Sequence, residues 1–235
     1  MKHTLLIKDW LSSFLSLLFP RCCVVCGRPL AKGEECICTV CNINLPRTNY
    51  HLRKDNPVER LFWGQIPLER ATSFFFYEKG SDFRLILHRL KYGGQKEIGA
   101  IMGRYMAAEL LSSHFFQGID VIIPIPLHKK KQQIRGYNQS EWIARGITAV
   151  TGIPIDTESI LRKKNTETQT RKSVFERRDN VEGIFELQHP ETLAGKHILI
   201  VDDVLTTGST TLACASCLVD VEDIRISILT LAMVE

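Results

Sequence analysis

The sequence predicts an α/β domain, a mostly parallel sheet flanked by helices, with a small cysteine-rich module in front of it. Three observations predict it. After about residue 60, short apolar runs rich in β-branched residues alternate with stretches of helical periodicity. Strands interleaved with helices in this way form βαβ units, whose sheets are mostly parallel. Six of the eight cysteines fall between Cys22 and Cys41, apart from that alternating region. The expected division is residues 1–60, an N-terminal helix and four-cysteine module, and residues 61–235, the α/β domain.

The elements are justified in chain order. In "WLSSFLSLLF", Leu6, Trp10, Leu11, Phe14, Leu15 and Leu18 recur at helical spacing. Asp9 precedes this run, and "PRCC" follows it in place of a small-residue cleavage site. A short amphipathic helix docked on the protein itself is expected, ahead of export or membrane-surface docking. No run reaches the roughly 18 apolar residues that cross a bilayer. With 44% hydrophobic residues and a net charge of +4, the chain can build a core. That charge permits a phosphate-bearing partner without demanding one.

"CVVC" (Cys23, Cys26) and "CTVC" (Cys38, Cys41) are two CxxC pairs separated by eleven residues. Each pair can form a tight knuckle, and four thiolates make a closed structural Zn²⁺ site. Iron–sulfur ligation is the lesser alternative. No export signal is convincing, so metal-bound thiolates in a reducing compartment, the cytoplasm, are expected instead of disulfides. Cys22 and Cys36 are expected to be non-ligands, and Cys214 and Cys217 small buried residues of a helix. Arg21, Arg28, Lys32, Arg47, Arg53 and Lys54 suggest a weak basic face on the module.

"ATSFFFYEKG" reads as a strand ending at Lys79-Gly80, and "DFRLILHRLKY" as a helix with Phe83, Ile86, Leu87 and Leu90 on one face. "EIGAIMGRYMAAELL" continues as a second helix. "IDVIIPIPL" is a buried strand, and "NQSEWIARGITAV" a helix capped by Asn138 or Ser140. "GIPIDTESILRK" is a further strand candidate. "KHILIVDDV", "STTLACASCLVD" and "DIRISILTLAMV" close the chain as strand, helix and strand.

The stretch Lys196 to Ala213 carries the chemistry. Four apolar residues run into Asp202 and Asp203, and a hydroxyl-rich loop follows, Thr206, Thr207, Gly208, Ser209 and Thr210. A strand-to-helix loop offers unpaired N–H groups at the positive end of the helix dipole. Gly208 lets the backbone approach a ligand. The signature lysine of a Walker loop is missing. Two acids beside a phosphate cradle suit a sugar phosphate, with the carboxylates accepting hydrogen bonds from vicinal hydroxyls.

"ILIVDDVLTTGST" resembles the phosphoribosyl pyrophosphate (PRPP) motif of type I phosphoribosyltransferases over thirteen residues. "PIPLHKKKQQIRGYNQSEWIA", "HRLKYGG" and "NTETQTRKSVFERRDNVEGIF" resemble segments of the ComF family, which joins an N-terminal zinc module to a phosphoribosyltransferase domain. With the cysteine module, the resemblance spans nearly the whole chain. It implies that Asp202 and Asp203 contact ribose, that Thr206 to Thr210 hold the 5-phosphate, and that Mg²⁺ accompanies the pyrophosphate.

The basic stretch "HKKKQQIRGYNQ" is read as a pyrophosphate loop, with Arg135 as a bidentate phosphate ligand. Lys91 is placed at the ligand by the family resemblance. The polar run from Arg162 to Asn180 reads as a catalytic lid or a nucleic-acid arm.

One reading is therefore an Mg-dependent pentosyltransferase acting on PRPP or a nucleotide, with Asp202, Asp203 and Arg135 as its catalytic residues and Asp203 as the choice of proton acceptor. The other is a PRPP-sensing or single-stranded-DNA-binding module of natural transformation, working with a competence helicase.

Overall fold

The computed structural model describes residues 20–163 and 183–234. The apolar N-terminal run and most of the Arg162 to Asn180 stretch lie outside the described residues. Four strands form one parallel sheet: β1 (Leu68–Tyr77), β2 (Val121–Pro124), β5 (His197–Leu205) and β6 (Arg225–Val234). Their order is β1-β6-β5-β2, every neighbouring pair parallel. The sheet is thus the parallel one expected, with helices on both faces.

Continuous apolar runs make this possible because both faces of each strand are buried. On β5, Leu199 and Val201 face one core layer, Ile198 and Ile200 the other. The first layer holds α3 (Arg84–Tyr92), α4 (Glu97–Leu110) and α6 (Gln139–Thr151); the second holds α7 (Ser209–Ser216). Asn138 caps α6, its carbonyl Oδ1 accepting from the Ser140 N–H at 3.2 Å.

Two sequence expectations are corrected. "GIPIDTESILRK" does not form a strand of the sheet. Ile155 makes one isolated parallel bridge to Ile122. Asp156 Oδ1 then accepts from the N–H groups of Glu158 and Ser159, at 2.8 and 2.9 Å, and turns the chain away. What remains, β3 (Ile160–Arg162), pairs antiparallel with β4 (Phe185–Leu187) in a separate ribbon. The basic stretch after β2 is also not a loop. Lys129–Arg135 forms α5, with His128 Nδ1 accepting from Lys130 N–H at 3.2 Å and Gly136 ending it at φ +79.

The cysteine region packs into the first core layer. Cys23, Val24, Ile37, Cys41 and Leu45 belong to the same apolar cluster as Phe75 and Met102. Arg47, expected on a basic face, instead pairs with Glu109 at 2.6 Å, donates to the Asn42 carbonyl and stacks on Phe74. Residues 46–48 cover the outer edge of β1 through Thr48 N–H to Phe74 O and Phe76 N–H to Pro46 O. A capped edge cannot template pairing with another chain. Two short helices complete this region, α1 (Thr39–Ile43) and α2 (Pro57–Arg60).

Helices α4 and α6 touch backbone to backbone. A Cβ on Gly146 would lie 2.1 Å from Ala100 O, and one on Gly103 2.2 Å from Ile143 O. Gly146→Ala must push the two backbones apart, and overpacking of that kind costs on the order of 3 kcal/mol. Urea denaturation should show that loss, while Gly64→Ala, which meets nothing within 4 Å, should lose only the smaller penalty of its positive φ.

Candidate functional site

The carboxyl ends of β2 and β5 lie side by side, where parallel sheets bind ligands. Strand β5 delivers Asp202 and Asp203 there, Asp203 buried and Asp202 partly buried. Thr206 to Gly208 form the turn into α7, with Gly208 at φ +74. The Phe62 ring lies 3.4 Å from where a Gly208 side chain would begin, so the loop is backed by a wall. Thr207 and Ser209 hydroxyls are 2.8 Å apart at the exposed mouth of the turn. The predicted phosphate loop is thus an open turn leading into a helix N-terminus.

Lys91 reaches the acids because Tyr137 holds the end of α3. The Tyr137 hydroxyl donates to the Leu90 carbonyl at 2.5 Å. Asn138, next in the chain, donates to the Ile125 carbonyl at 3.0 Å, anchoring the same turn to the exit of β2. Lys91 Nζ then lies 2.9 Å from Asp203 Oδ1. Burial opposes the charge on Lys91, but Asp203 and Asp202 outweigh it and raise its pKa. Asp202 is held differently. Its Oδ1 accepts from the Ser140 hydroxyl at 3.0 Å and from the Asp203 N–H at 2.8 Å. Burial first, then the neighbouring Asp203 charge, push Asp202 up to about 7.

The helical form of Lys129–Arg135 decides which cations face the site. Lys129 and Lys130 are exposed; Lys131 and Arg135, four apart, share the half-buried face. Arg135 donates to Gln139 Oε1 at 2.7 Å and lies 5.5 Å from the Tyr92 ring centre. Burial, with Arg162, Arg135 and Lys91 nearby, lowers the pKa of Lys131. Arg162 joins the group from β3. Burial lowers its pKa and Asp202 opposes that shift, while its guanidinium stacks 5.2 Å from the Phe185 ring. Lys91, Lys131, Arg135 and Arg162 therefore lie near one another, with Lys91 and Arg162 beside the two carboxylates, of which Asp202 is pushed up to about 7. A phosphate-rich ligand would balance that excess.

Sequence reading missed Arg162 as a site residue and did not single out Lys131. Arg162 could not be placed without the antiparallel ribbon. Lys131 had a signal: six good helix formers among the seven residues between a capping His128 and Gly136.

The four predicted thiolates also converge. The sulfurs of Cys23, Cys26, Cys38 and Cys41 all lie within 4.8 Å of one another. Cys26 and Cys38 sulfurs are 3.7 Å apart. A tetrahedron with Zn–S bonds of about 2.3 Å has edges of about 3.8 Å. Cys23 Sγ accepts from the Cys38 N–H at 3.3 Å, tying the knuckles together. The Arg28 backbone N–H, against a desolvation cost, lowers Cys26 to about 6, with the Arg28 side chain helping. These four cysteines could hold a zinc ion. Cys22 is exposed, and Cys36 is buried against Met102 at 3.9 Å, with burial pushing it up to about 12. Neither belongs to the cluster, and Cys214 is buried in α7.

No family model matches the chain. The "DNA utilization protein YhgH" of Escherichia coli O157:H7 is 32% identical over 209 residues, covering 83% of this chain and 88% of that protein. "Competence protein ComFC" of Bacillus subtilis is 26% identical over 216 residues, covering 90% and 83%. "Competence protein F" of Haemophilus influenzae is 32% identical over 130 residues, covering 54% and 57%. The chain belongs to the ComF family.

A solved structure of glutamine PRPP amidotransferase from B. subtilis, complexed with ADP and GMP, matches with a TM-score of 0.36 at 20% identity. It covers 57% of this chain, which spans only 26% of that structure, and the likeness is too slight to argue from. In this ComF-family protein a four-stranded parallel sheet is joined to a four-cysteine cluster. Among the described residues no helix is long and apolar enough to cross a membrane.

Proposed function

We propose that the chain binds PRPP at the carboxyl end of β5 and transfers its phosphoribosyl group to a nitrogen nucleophile. One observation carries the reading: Lys91 and Arg162 lie beside Asp202 and Asp203, at the strand end that leads into the turn at Thr206–Thr210, and Lys131 and Arg135 cluster with those two cations. The 5-phosphate sits on the turn and the N-terminus of α7, and the ribose hydroxyls donate to the carboxylates. The pyrophosphate meets Lys131, Arg135 and Arg162. Asp202 and Asp203 also offer hard oxygen donors of the kind Mg²⁺ takes. When bound, the ion would neutralise charge on the leaving group.

In the transfer, a bond forms between the nucleophile and C1 of ribose while the bond from C1 to pyrophosphate breaks. The leaving group takes that electron pair, and the surrounding cations stabilise it. A proton leaves the incoming nitrogen. Asp202, pushed up to about 7, is better poised to accept it than Asp203, which Lys91 holds at 2.9 Å. With Mg²⁺ and each nucleobase in turn, wild type should release pyrophosphate from PRPP, and Arg135→Ala should release it at least about tenfold more slowly. No release with any base would remove the transferase reading and leave that of a PRPP sensor.

The relatives named for DNA utilization and competence favour a role in handling DNA during uptake, including single-stranded DNA passed on by a competence helicase. The two readings are compatible, since one chain can carry both a nucleotide site and a DNA-binding surface.

A further inference from the structure

Of the ten large apolar side chains exposed among the described residues, four belong to one neighbourhood: Val40 at 48%, Ile43 at 74%, Leu52 at 66% and Leu111 at 48%. Arg47 ties that neighbourhood together. Its guanidinium donates to the carbonyl and the side chain of Asn42 in α1, and it pairs with Glu109 near the end of α4. Ile43 follows Asn42, and Leu111 comes two residues after Glu109. Val40 and Ile43 stand three apart on α1 and share a face. Leu52 lines the same hollow as Ser113, two residues beyond Leu111. An apolar area of this kind marks an interaction site.

The chain itself supplies a matching segment. The described residues begin at Pro20, in the same cysteine module. The Val24 N–H donates to the Cys36 carbonyl at 2.8 Å and the Cys38 N–H to Cys23 Sγ at 3.3 Å, so the entering chain lies against the residues that lead into α1. Residues 1–19 precede Pro20 and carry the apolar stripe from Leu6 to Leu18. At helical rise that stripe is about 18 Å long, and its last member stands four residues before Cys22. Charge argues against a lipid surface as its counterpart. Between Leu6 and Leu18 the charged residues are Lys8 and Asp9, which cancel, and the other polar residues are Ser12, Ser13 and Ser16. A segment that lies on a membrane carries a polar face rich in lysine and arginine. This run is neutral, and so is the Arg47–Glu109 pair beside the exposed side chains.

We propose that the chain's own N-terminal run, Leu6 to Leu18, covers the face formed by Val40, Ile43, Leu52 and Leu111. The assignment is independent of the PRPP and DNA readings above. It makes the N-terminal run a strap that joins the cysteine module to the end of α4, beside the Arg47–Glu109 pair that already links them.

The test follows hydrogen–deuterium exchange by mass spectrometry on the full zinc-loaded chain, with a synthetic peptide of residues 1–19 as the reference. In wild type the amides between Trp10 and Leu18 should exchange at least about tenfold more slowly than in the peptide. Ile43→Asp with Leu111→Asp should return them to within about threefold of the peptide rate. Val219→Asp, at an apolar side chain exposed elsewhere, should leave the protection intact. Zinc content and melting report whether each variant has folded. Leu15→Asp changes no described residue, and it should raise hydroxyl-radical labelling of Ile43 and Leu111 even where the double variant fails to fold. Wild-type amides that exchange as fast as the peptide would overturn the assignment. So would protection that survives Ile43→Asp with Leu111→Asp, or labelling that Leu15→Asp leaves unchanged, because the run then lies elsewhere. Protection that appears only with vesicles of phosphatidylcholine and phosphatidylglycerol would give the run to a membrane surface. Protection that rises with protein concentration would give it to a second copy, and either result overturns the assignment too.

Discussion

Cys38→Ser should leave a chain that retains little zinc and melts roughly 10 °C below wild type. A structural Zn²⁺ contributes on the order of 10 kcal/mol to folding its own module. Here the module is not an appendage that could unfold alone. Cys38 and Cys41 lie in the same buried cluster as Met102 and Leu110 of α4, and Glu35 pairs with Arg104 on that helix. Freed cysteines would therefore expose one side of the first core layer. Losing even about 3–5 kcal/mol lowers the melting temperature of a chain this size by about that 10 °C. Cys22→Ser is the control. Its sulfur is exposed and outside the cluster, so metal content by elemental analysis and melting by calorimetry should both match wild type. Equal zinc in wild type and Cys38→Ser would refute four-thiolate binding.

Asp202→Asn should make the protein more stable and less able to hold PRPP. The folded chain keeps two adjacent carboxylates together, and Asp202 is pushed from 3.8 up to about 7. An acid raised in this way keeps its proton in the folded chain after the unfolded chain has lost it. Stability therefore falls as pH climbs from about 4 to about 7 and stays low above that. Asparagine keeps the shape and can still accept the Ser140 hydroxyl, but carries no charge. At pH 8 the variant should gain about 1–2 kcal/mol, allowing for coupling to Asp203 and Lys91, and the decline between pH 4 and 7 should flatten. Chemical denaturation across that range measures both. A variant less stable than wild type at pH 8 would mean that the pair is held for structure. A gain in stability with a loss of binding is what a functional site predicts, since strain there is tolerated for the ligand.

Much of this arrangement was legible beforehand, for physical reasons that differ by element. Strand β5 was readable because burial on both faces requires an unbroken apolar run, and because carboxylates at its end have few other uses. The cysteine cluster was readable because CxxC spacing alone brings two sulfurs to one point. Less legible was anything set by contacts across the chain. The Lys91–Asp203 pair depends on Tyr137 gripping the Leu90 carbonyl, a link of 47 positions that no local pattern announces. Arg162 joins the site only because Asp156 turns the chain out of the sheet into the β3–β4 ribbon. Arg47 looked like surface charge because its partner Glu109 is far away in sequence and its other partner, Asn42, is presented by the short helix α1. The basic stretch after β2 reads as a loop from its charge and from its place after the strand, as in the enzymes it resembles, although most of its residues are good helix formers between a capping His128 and a terminating Gly136.

The central claim is that PRPP is gripped where β5 passes into α7. Calorimetric titration of PRPP with Mg²⁺ into wild type and into the combined variant Asp202→Asn, Asp203→Asn, Ser209→Ala, Thr210→Ala tests it most directly. The account predicts saturable binding to wild type and at least about 100-fold weaker binding to the variant, from several charge-assisted hydrogen bonds lost together. Equal affinity in a variant that still melts cooperatively would contradict it.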